Sequence, residues 1–278
     1  MSDQKEKDKL SENLKRIRPI FKKEDAVVSS SFKKTLIATD IHGDYHALEF
    51  VLKFAEMKKV DSYVFLGDYI DKGRYSVDVL NILFDMKCKD PNKTILLRGN
   101  HETRGLSPWL EFGEDLVNDP KLMDDSNAVF DEMPIAAVIN NEIFCVHGCI
   151  AGFDNETLKS ISKKDPKKYL WNDPGAENGV QPSPRGNGIY SIGPDLVKSF
   201  LKRNDLKVII RGHTSHTEGV KCWHDNKLVS LYSGIHSDSP EIRAAVAIAK
   251  GDEIKFYYFR KTRMGFEWTD EKKKLKLK

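Results

Sequence analysis

No run of apolar residues long enough to cross a bilayer occurs in this 278-residue chain, so no membrane-spanning helix is expected. The opening segment Met1 to Lys9 is highly charged and has no apolar stretch, which argues against a secretory leader. Cysteine is scarce: Cys88, Cys145, Cys149 and Cys222 lack C-x-x-C spacing. Four such residues fit neither a thiolate zinc site nor a disulfide scaffold, and a reducing setting, cytoplasmic or nuclear, is expected. An excess of one charge is also missing, because 45 Lys and Arg against 42 Asp and Glu leave only +3. That is too little to suggest a nucleic-acid partner. There is no internal repeat, no low-complexity tract and no Pro/Gly/Ser-rich linker, so one large α/β domain is favoured over two small ones.

What is present is an alternation of apolar strands and amphipathic helices. Leu10, Leu14, Ile17, Ile20 and Phe21 stand near helical spacing, which predicts a helical extension over residues 1–28 packed on the body. A catalytic domain over residues 29–262 follows, and the lysine-rich stretch 263–278 reads as a solvated basic tail. Thr35 to Thr39 predicts a strand, His46 to Met57 a helix, and the strand that begins near Val64 runs to Asp68. Ser76 then reads as the N-cap of a second helix. Further strands are predicted at Thr94 to Leu97, at Ala136 to Val146 turning at Asn140-Asn141, and at Leu206 to Ile210. Hairpins turning at Asp225-Asn226 and Gly251-Asp252 complete the order: βα units first, then mostly antiparallel strands.

The polar residues that directly follow these strands are the informative ones. Asp40, His42, Asp68, Asn100, His147 and His213 each stand at a strand end, beside glycine or another polar residue. Ligands of open α/β sheets bind at such ends. Carboxylate, imidazole and amide oxygen together suit manganese, iron or zinc. Six donors exceed what one catalytic ion takes, which suggests two ions with Asp68 as the carboxylate between them. Such a pair generates hydroxide at neutral pH and neutralises a phosphoryl group, which points to phosphoester hydrolysis. A leaving oxygen needs a proton and the phosphate needs cations. His101 is the candidate acid with Asp71 to orient it, while Arg98, Lys72, Arg74, Arg185 and Arg211 are candidate clamps. Arg185, in a Gly-rich loop, is foremost because its planar fork matches phosphate.

Asp40-Ile41-His42-Gly43-Asp44, Gly67-Asp68-Tyr69-Ile70-Asp71-Lys72-Gly73 and Leu97-Arg98-Gly99-Asn100-His101-Glu102 resemble the three signature motifs of the phosphoprotein phosphatase family of metal-dependent serine/threonine protein phosphatases. His147-Gly148, Trp171-Asn172-Asp173-Pro174, Arg185-Gly186 and Gly212-His213 follow in that family's order. The resemblance implies a metallophosphoesterase fold, a central β-sandwich of mixed sheets flanked by α-helices. It implies hydrolysis of phosphoserine and phosphothreonine monoesters in proteins by in-line attack of a metal-activated water or hydroxide. The same motifs also resemble symmetrical diadenosine polyphosphate hydrolases, and an inactive phosphopeptide-binding scaffold is a third alternative. By the likeness, Asp40, His42 and Asp68 hold one ion, and Asp68, Asn100, His147 and His213 the other. Manganese is expected in vitro, with iron or zinc as alternatives. His101 is then the acid supported by Asp71, and Lys72, Arg185 and Asn100 meet the phosphate. Phosphoprotein substrates and regulatory or targeting subunits are the partners implied. Two positions depart from the pattern. Lys72 stands where the family has arginine, and Ser233-Gly234-Ile235-His236-Ser237 replaces a loop bearing a tyrosine, with His236 a candidate substrate contact.

Overall fold

Leu10, Leu14, Ile17 and Phe21 recur on one helical face, and in the computed structural model they are buried along α1 (Gln4–Lys23); Ile20 is only half-buried. The structure describes residues 3–235 and 243–277. After α1 come β1 (Val27–Ser30), β2 (Thr35–Ala38), α2 (Tyr45–Met57), β3 (Ser62–Phe65), α3 (Ser76–Lys89) and β4 (Thr94–Leu96). Next are α4 (Glu111–Asp115), α5 (Pro120–Phe130), β5 (Ala136–Ile139), β6 (Ile143–Val146) and α6 (Lys167–Trp171). The short strands β7 (Asp173–Pro174), β8 (Val180–Pro182) and β9 (Tyr190–Ile192) precede α7 (Pro194–Arg203) and β10 (Val208–Arg211). The chain closes with β11 (Val220–Trp223), β12 (Leu228–Leu231), β13 (Ala244–Lys250), β14 (Glu253–Thr262) and β15 (Gly265–Lys276).

Among the described residues, two six-stranded mixed sheets pack face to face. One runs β1-β5-β6-β10-β12-β11 and the other β15-β14-β13-β2-β3-β4, while β7-β9-β8 forms a small third sheet. Side chains alternate between faces along a strand. Thus Ile37, Val64, Leu66 and Ile95 meet Ala137, Cys145, Ile210 and Val229 between the sheets. Leu36, Phe65 and Leu96 turn the other way, onto the core shared with Leu48, Leu80, Phe84 and Phe130 of the helices. On the far side Phe144 packs edge-on against Phe200 of α7, ring centroids 5.0 Å apart. The order helix, sheet, sheet, helix is the metallophosphoesterase sandwich that the motifs imply.

Several expectations change in detail. Strand β1 pairs in parallel with β5, so residues 27 and 28 belong to the sandwich and the boundary drawn after residue 28 cuts a strand. β3 ends at Phe65, not at Asp68, which leaves Leu66 to Asp68 free to turn. Ser76 is not an N-cap: Tyr75 holds that position, and the Ser76 hydroxyl accepts the Asp71 N–H at 3.0 Å. The stretch read as a solvated basic tail is largely β15, paired antiparallel with β14 along the sheet edge. Its lysines masked an aromatic anchor, because Trp268 stacks on Phe50 and Phe54 with centroids 5.0 and 3.8 Å apart. Exposed lysines on an outermost strand also discourage further strand pairing.

Candidate active site

β2, β3 and β4 lie side by side in parallel in one sheet, and β6 and β10 do so in the other. Their C-terminal ends therefore open on one mouth of the sandwich, carrying Asp40, Asp68, Asn100, His147 and His213. The loops bend inward through left-handed backbone at Asp40 (φ 49°), His42 (47°), Asp68 (56°), Asp71 (69°), Lys72 (62°) and His213 (69°). Each such residue outside glycine costs roughly 1 kcal/mol or more, and so many at one place mark a site whose shape is imposed by its surroundings. Gly99 and Gly212 permit the close approach of these loops. A Cβ on Gly99 would collide with Asp68, and one on Gly212 with Thr39 and Asp40.

The donors converge on Asp68. Its Oδ2 lies 3.3 Å from His42 Nε2 and its Oδ1 3.3 Å from His147 Nε2. Asn100 Oδ1 is 2.9 Å from His147 Nε2 and 2.8 Å from His213 Nδ1. Asp40 Oδ1 lies 3.9 Å from His42 Nε2, and both its oxygens accept the His213 N–H. Two triads, His42 with Asp68 and His101, and Asp68 with His147 and His213, each bring their ligand atoms within 4.8 Å of one another. They share Asp68, so one carboxylate faces both. These His and Asp groups are able to bind metal.

The local chemistry fits such an ion. Nδ1 of His42 faces Ile70 O and Nδ1 of His147 faces Leu66 O, each at 2.8 Å. A ring nitrogen facing a carbonyl carries a proton, which turns the Nε2 side of each ring toward Asp68. The Nε2 and carboxylate oxygen atoms so placed are ligand atoms suited to a cation, and at His42 the Lys72 ammonium, 2.9 Å from Nε2, already brings positive charge. The same demand for positive charge shows in the titrations. Burial works against it, yet the Asp68 carboxylate raises the His147 pKa. Burial likewise opposes the Asp68 charge, but His147 and His101 hold its carboxyl well below the usual range. Burial, with His147 and Arg211 nearby, drives His213 well down.

His101 is tied differently. Its Nδ1 lies 2.7 Å from Asp71 Oδ2, and its Nε2 lies 3.9 Å from Asp68 Oδ2. Burial lowers its pKa, but Asp68 and Asp71 outweigh burial and push it up to about 9. Asp71 is itself immobilised, accepting the Phe112 N–H at 2.9 Å. The ring therefore carries a proton at neutral pH and points it at the cluster.

Glu102 is the residue that the motif reading passed over. Its buried carboxylate accepts from the amides of Asp68 (2.8 Å), Tyr69 (2.8 Å) and Gly99 (2.9 Å). One side chain thus pins the loop after β3 to the loop after β4. Burial and the Asp68 charge push its pKa up to about 7. Sequence held no signal for this, because an acid in a loop after a strand is ordinarily solvated and only packing turns Glu102 inward. Glu102→Gln replaces one acceptor oxygen with a donor facing amide donors, so both loops lose their pin. The expected result is a fall in kcat of about a hundredfold with Tm lowered by several degrees. Steady-state kinetics and a melting curve check it, and an unchanged kcat would refute the role.

At the rim, Arg185 donates to Asp173 Oδ2 at 2.5 Å and to Thr214 Oγ1 at 3.2 Å. Asp173 is in turn held by Arg211 at 2.9 Å and by Thr214 at 2.8 Å. Lys72 Nζ lies 2.9 Å from His42 Nε2. Arg98 and Arg211 are not rim clamps. Arg98 is spent on Glu102 O and Asp131, and Arg211 is buried against Gly148 O, Thr214 and Asp173. Trp171 packs edge-on to His213 at 5.6 Å. Cys149 is free and buried, and burial pushes its thiol pKa up to about 12. His236 and Ser237 lie outside the described residues.

Comparison with known proteins agrees with this geometry. The family profile described as calcineurin-like phosphoesterase matches residues 33–216. Among solved structures, the chain is similar to a protein serine/threonine phosphatase from Saccharomyces cerevisiae that has similarity to human phosphatase PP5. The identity is 25%, the TM-score is 0.81, and the match covers 88% of this chain and 83% of that one. It also shares its fold with a cold-active protein-tyrosine phosphatase of the psychrophile Shewanella sp., at 19% identity, TM-score 0.59, and 90% and 84% coverage.

Proposed function

Since the chain belongs to the calcineurin-like phosphoesterase family, we propose that it hydrolyses phosphoserine and phosphothreonine monoesters in proteins, with two metal ions at the mouth of the sandwich. The observation that carries this reading is the His101–Asp71 pair, fixed at 2.7 Å, standing beside the carboxylate that faces both triads. It is supported by likeness to a serine/threonine phosphatase over most of both chains.

Asp40, His42 and Asp68 would hold one ion, and Asp68, Asn100, His147 and His213 the other. His101, although within reach of the first triad, is held through Nδ1 by Asp71 and is assigned the acid role instead of a ligand role. Bound there, the ions supply a water of lowered pKa and positive charge for the phosphoryl oxygens. Manganese suits these nitrogen and oxygen donors, as do iron and zinc. Arg185, oriented by Asp173 and Thr214, grips the non-bridging oxygens together with Lys72 and the Asn100 amide. His101 Nε2–H delivers its proton to the departing serine or threonine oxygen, and Asp71 keeps the ring turned toward it. No helix among the described residues is long and apolar enough to cross a membrane.

The test is a substrate panel on protein stripped by chelation and reloaded with manganese: phosphoserine and phosphothreonine peptides, a phosphotyrosine peptide and a dinucleoside tetraphosphate. Stripping should reduce turnover at least about a hundredfold, reversibly. The serine and threonine peptides should give the highest kcat/KM. Activity that survives exhaustive stripping would refute the metal mechanism, and preference for the dinucleotide would refute the protein substrate.

A further inference from the structure

Beside the catalytic mouth, a cleft of about 430 Å³ runs past the start of α2 and the loop before α3. Lys72 belongs to both places: it lines the cleft, and its ammonium lies 2.9 Å from His42 Nε2. The cleft and the catalytic rim are therefore one continuous surface. Lys72, Arg74 and Lys261 bring three positive charges into it, against Asp44 and Glu111.

Both acids are already engaged by backbone. Asp44 accepts the Ala47 N–H at 2.9 Å as the cap of α2. Burial raises the Glu111 pKa, but the amides of Glu111 and Lys72 bring it down overall. Arg74 and Lys261 are both exposed, and neither forms an ion pair within 4 Å with a described residue. The half-exposed ring of Tyr75 and the ring of His46, 5.7 Å apart, form one wall. Long cations at an open cleft, with the acids turned to the backbone, present a positive surface continuous with the catalytic rim through Lys72.

Building on the protein-substrate reading, we propose that this cleft is a specificity subsite that binds an anionic side chain of the substrate, flanking the phosphoresidue, through Arg74 and Lys261. The shared chemistry is an anion, whether a carboxylate or a second phosphoryl group. Arginine favours a forked contact with either, and lysine adds a point charge. The subsite selects among phosphoproteins without taking part in the reaction, so its effect falls mainly on KM.

The experiment compares kcat/KM for three sets of phosphothreonine peptides: neutral flanks, a single aspartate scanned through the flanking positions, and a second phosphoserine at the same positions. The wild-type protein should prefer at least one anionic set by about fivefold, as expected for two exposed ion pairs. In Arg74→Glu and Lys261→Glu the ratio of anionic to neutral peptide should fall to about one; a ratio cancels any loss common to both peptides. Preference for aspartate alone or for phosphoserine alone supports the subsite and names its anion. Equal cleavage of all sets by the wild type, or a preference that survives in both variants, overturns the subsite alone. Hydrolysis of p-nitrophenyl phosphate with no peptide cleaved overturns the protein-substrate reading and this assignment with it.

Discussion

Asp68→Asn is expected to lower kcat for phosphopeptides by at least about a thousandfold while leaving the fold intact, since removal of one shared ligand charge forfeits several kcal/mol of transition-state stabilisation. Asparagine keeps the size of aspartate, so the packing of β3 against β2 and β4 is undisturbed. What changes is charge and ligand count. Among the described residues Asp68 is the member common to both triads, and an amide offers one oxygen where the carboxylate offers two. Both ions are then held more weakly, and metal content by mass spectrometry should fall together with turnover. Circular dichroism matching wild type separates this result from misfolding. Activity within tenfold of wild type, at full metal content, would show that Asp68 does not join the two ions.

His101→Asn is expected to lower kcat for phosphoserine peptides by roughly a thousandfold, within the range of general acid catalysis. The loss should depend on the leaving group. A serine alkoxide departs poorly without a proton, whereas p-nitrophenolate departs unaided, so p-nitrophenyl phosphate should lose much less. That split distinguishes an acid from a ligand, because loss of a ligand would depress both substrates alike and would reduce metal content. Asp71→Asn should follow the same pattern more mildly: the ring keeps a hydrogen-bond partner at Nδ1, but the charge that helps to hold its proton is gone. An equal loss on both substrates would refute the acid role for His101.

How much of this was legible beforehand differs from residue to residue. Asp40, His42, Asp68, Asn100, His147 and His213 were each found by standing just after an apolar strand, and the structure brings all six to one mouth. The Asn140-Asn141 and Asp225-Asn226 turns were also readable, because asparagine and aspartate tolerate the positive φ they adopt there. Arginine candidates fared worse. Arg98 and Arg211 have the same local look as Arg185, yet two of the three are fixed inside by partners distant in sequence, Asp131 and Asp173. Charge composition misled at the C-terminus, where a lysine-rich strand is held in the sheet by Trp268 on Phe50 and Phe54.

From the sequence alone followed the family, the layered α/β class, the donor types and the strand ends that bear them, for all of these depend on local pattern and chemistry. The shared place of Asp68 was expected as well; only the tertiary structure decided that Glu102 pins two loops, that Ser76 serves Asp71 and that Lys72 leads into a basic cleft. The physical reason is that these contacts join strands and loops across two sheets. Their distances are set by strand pairing and core packing, which no stretch of the chain specifies by itself.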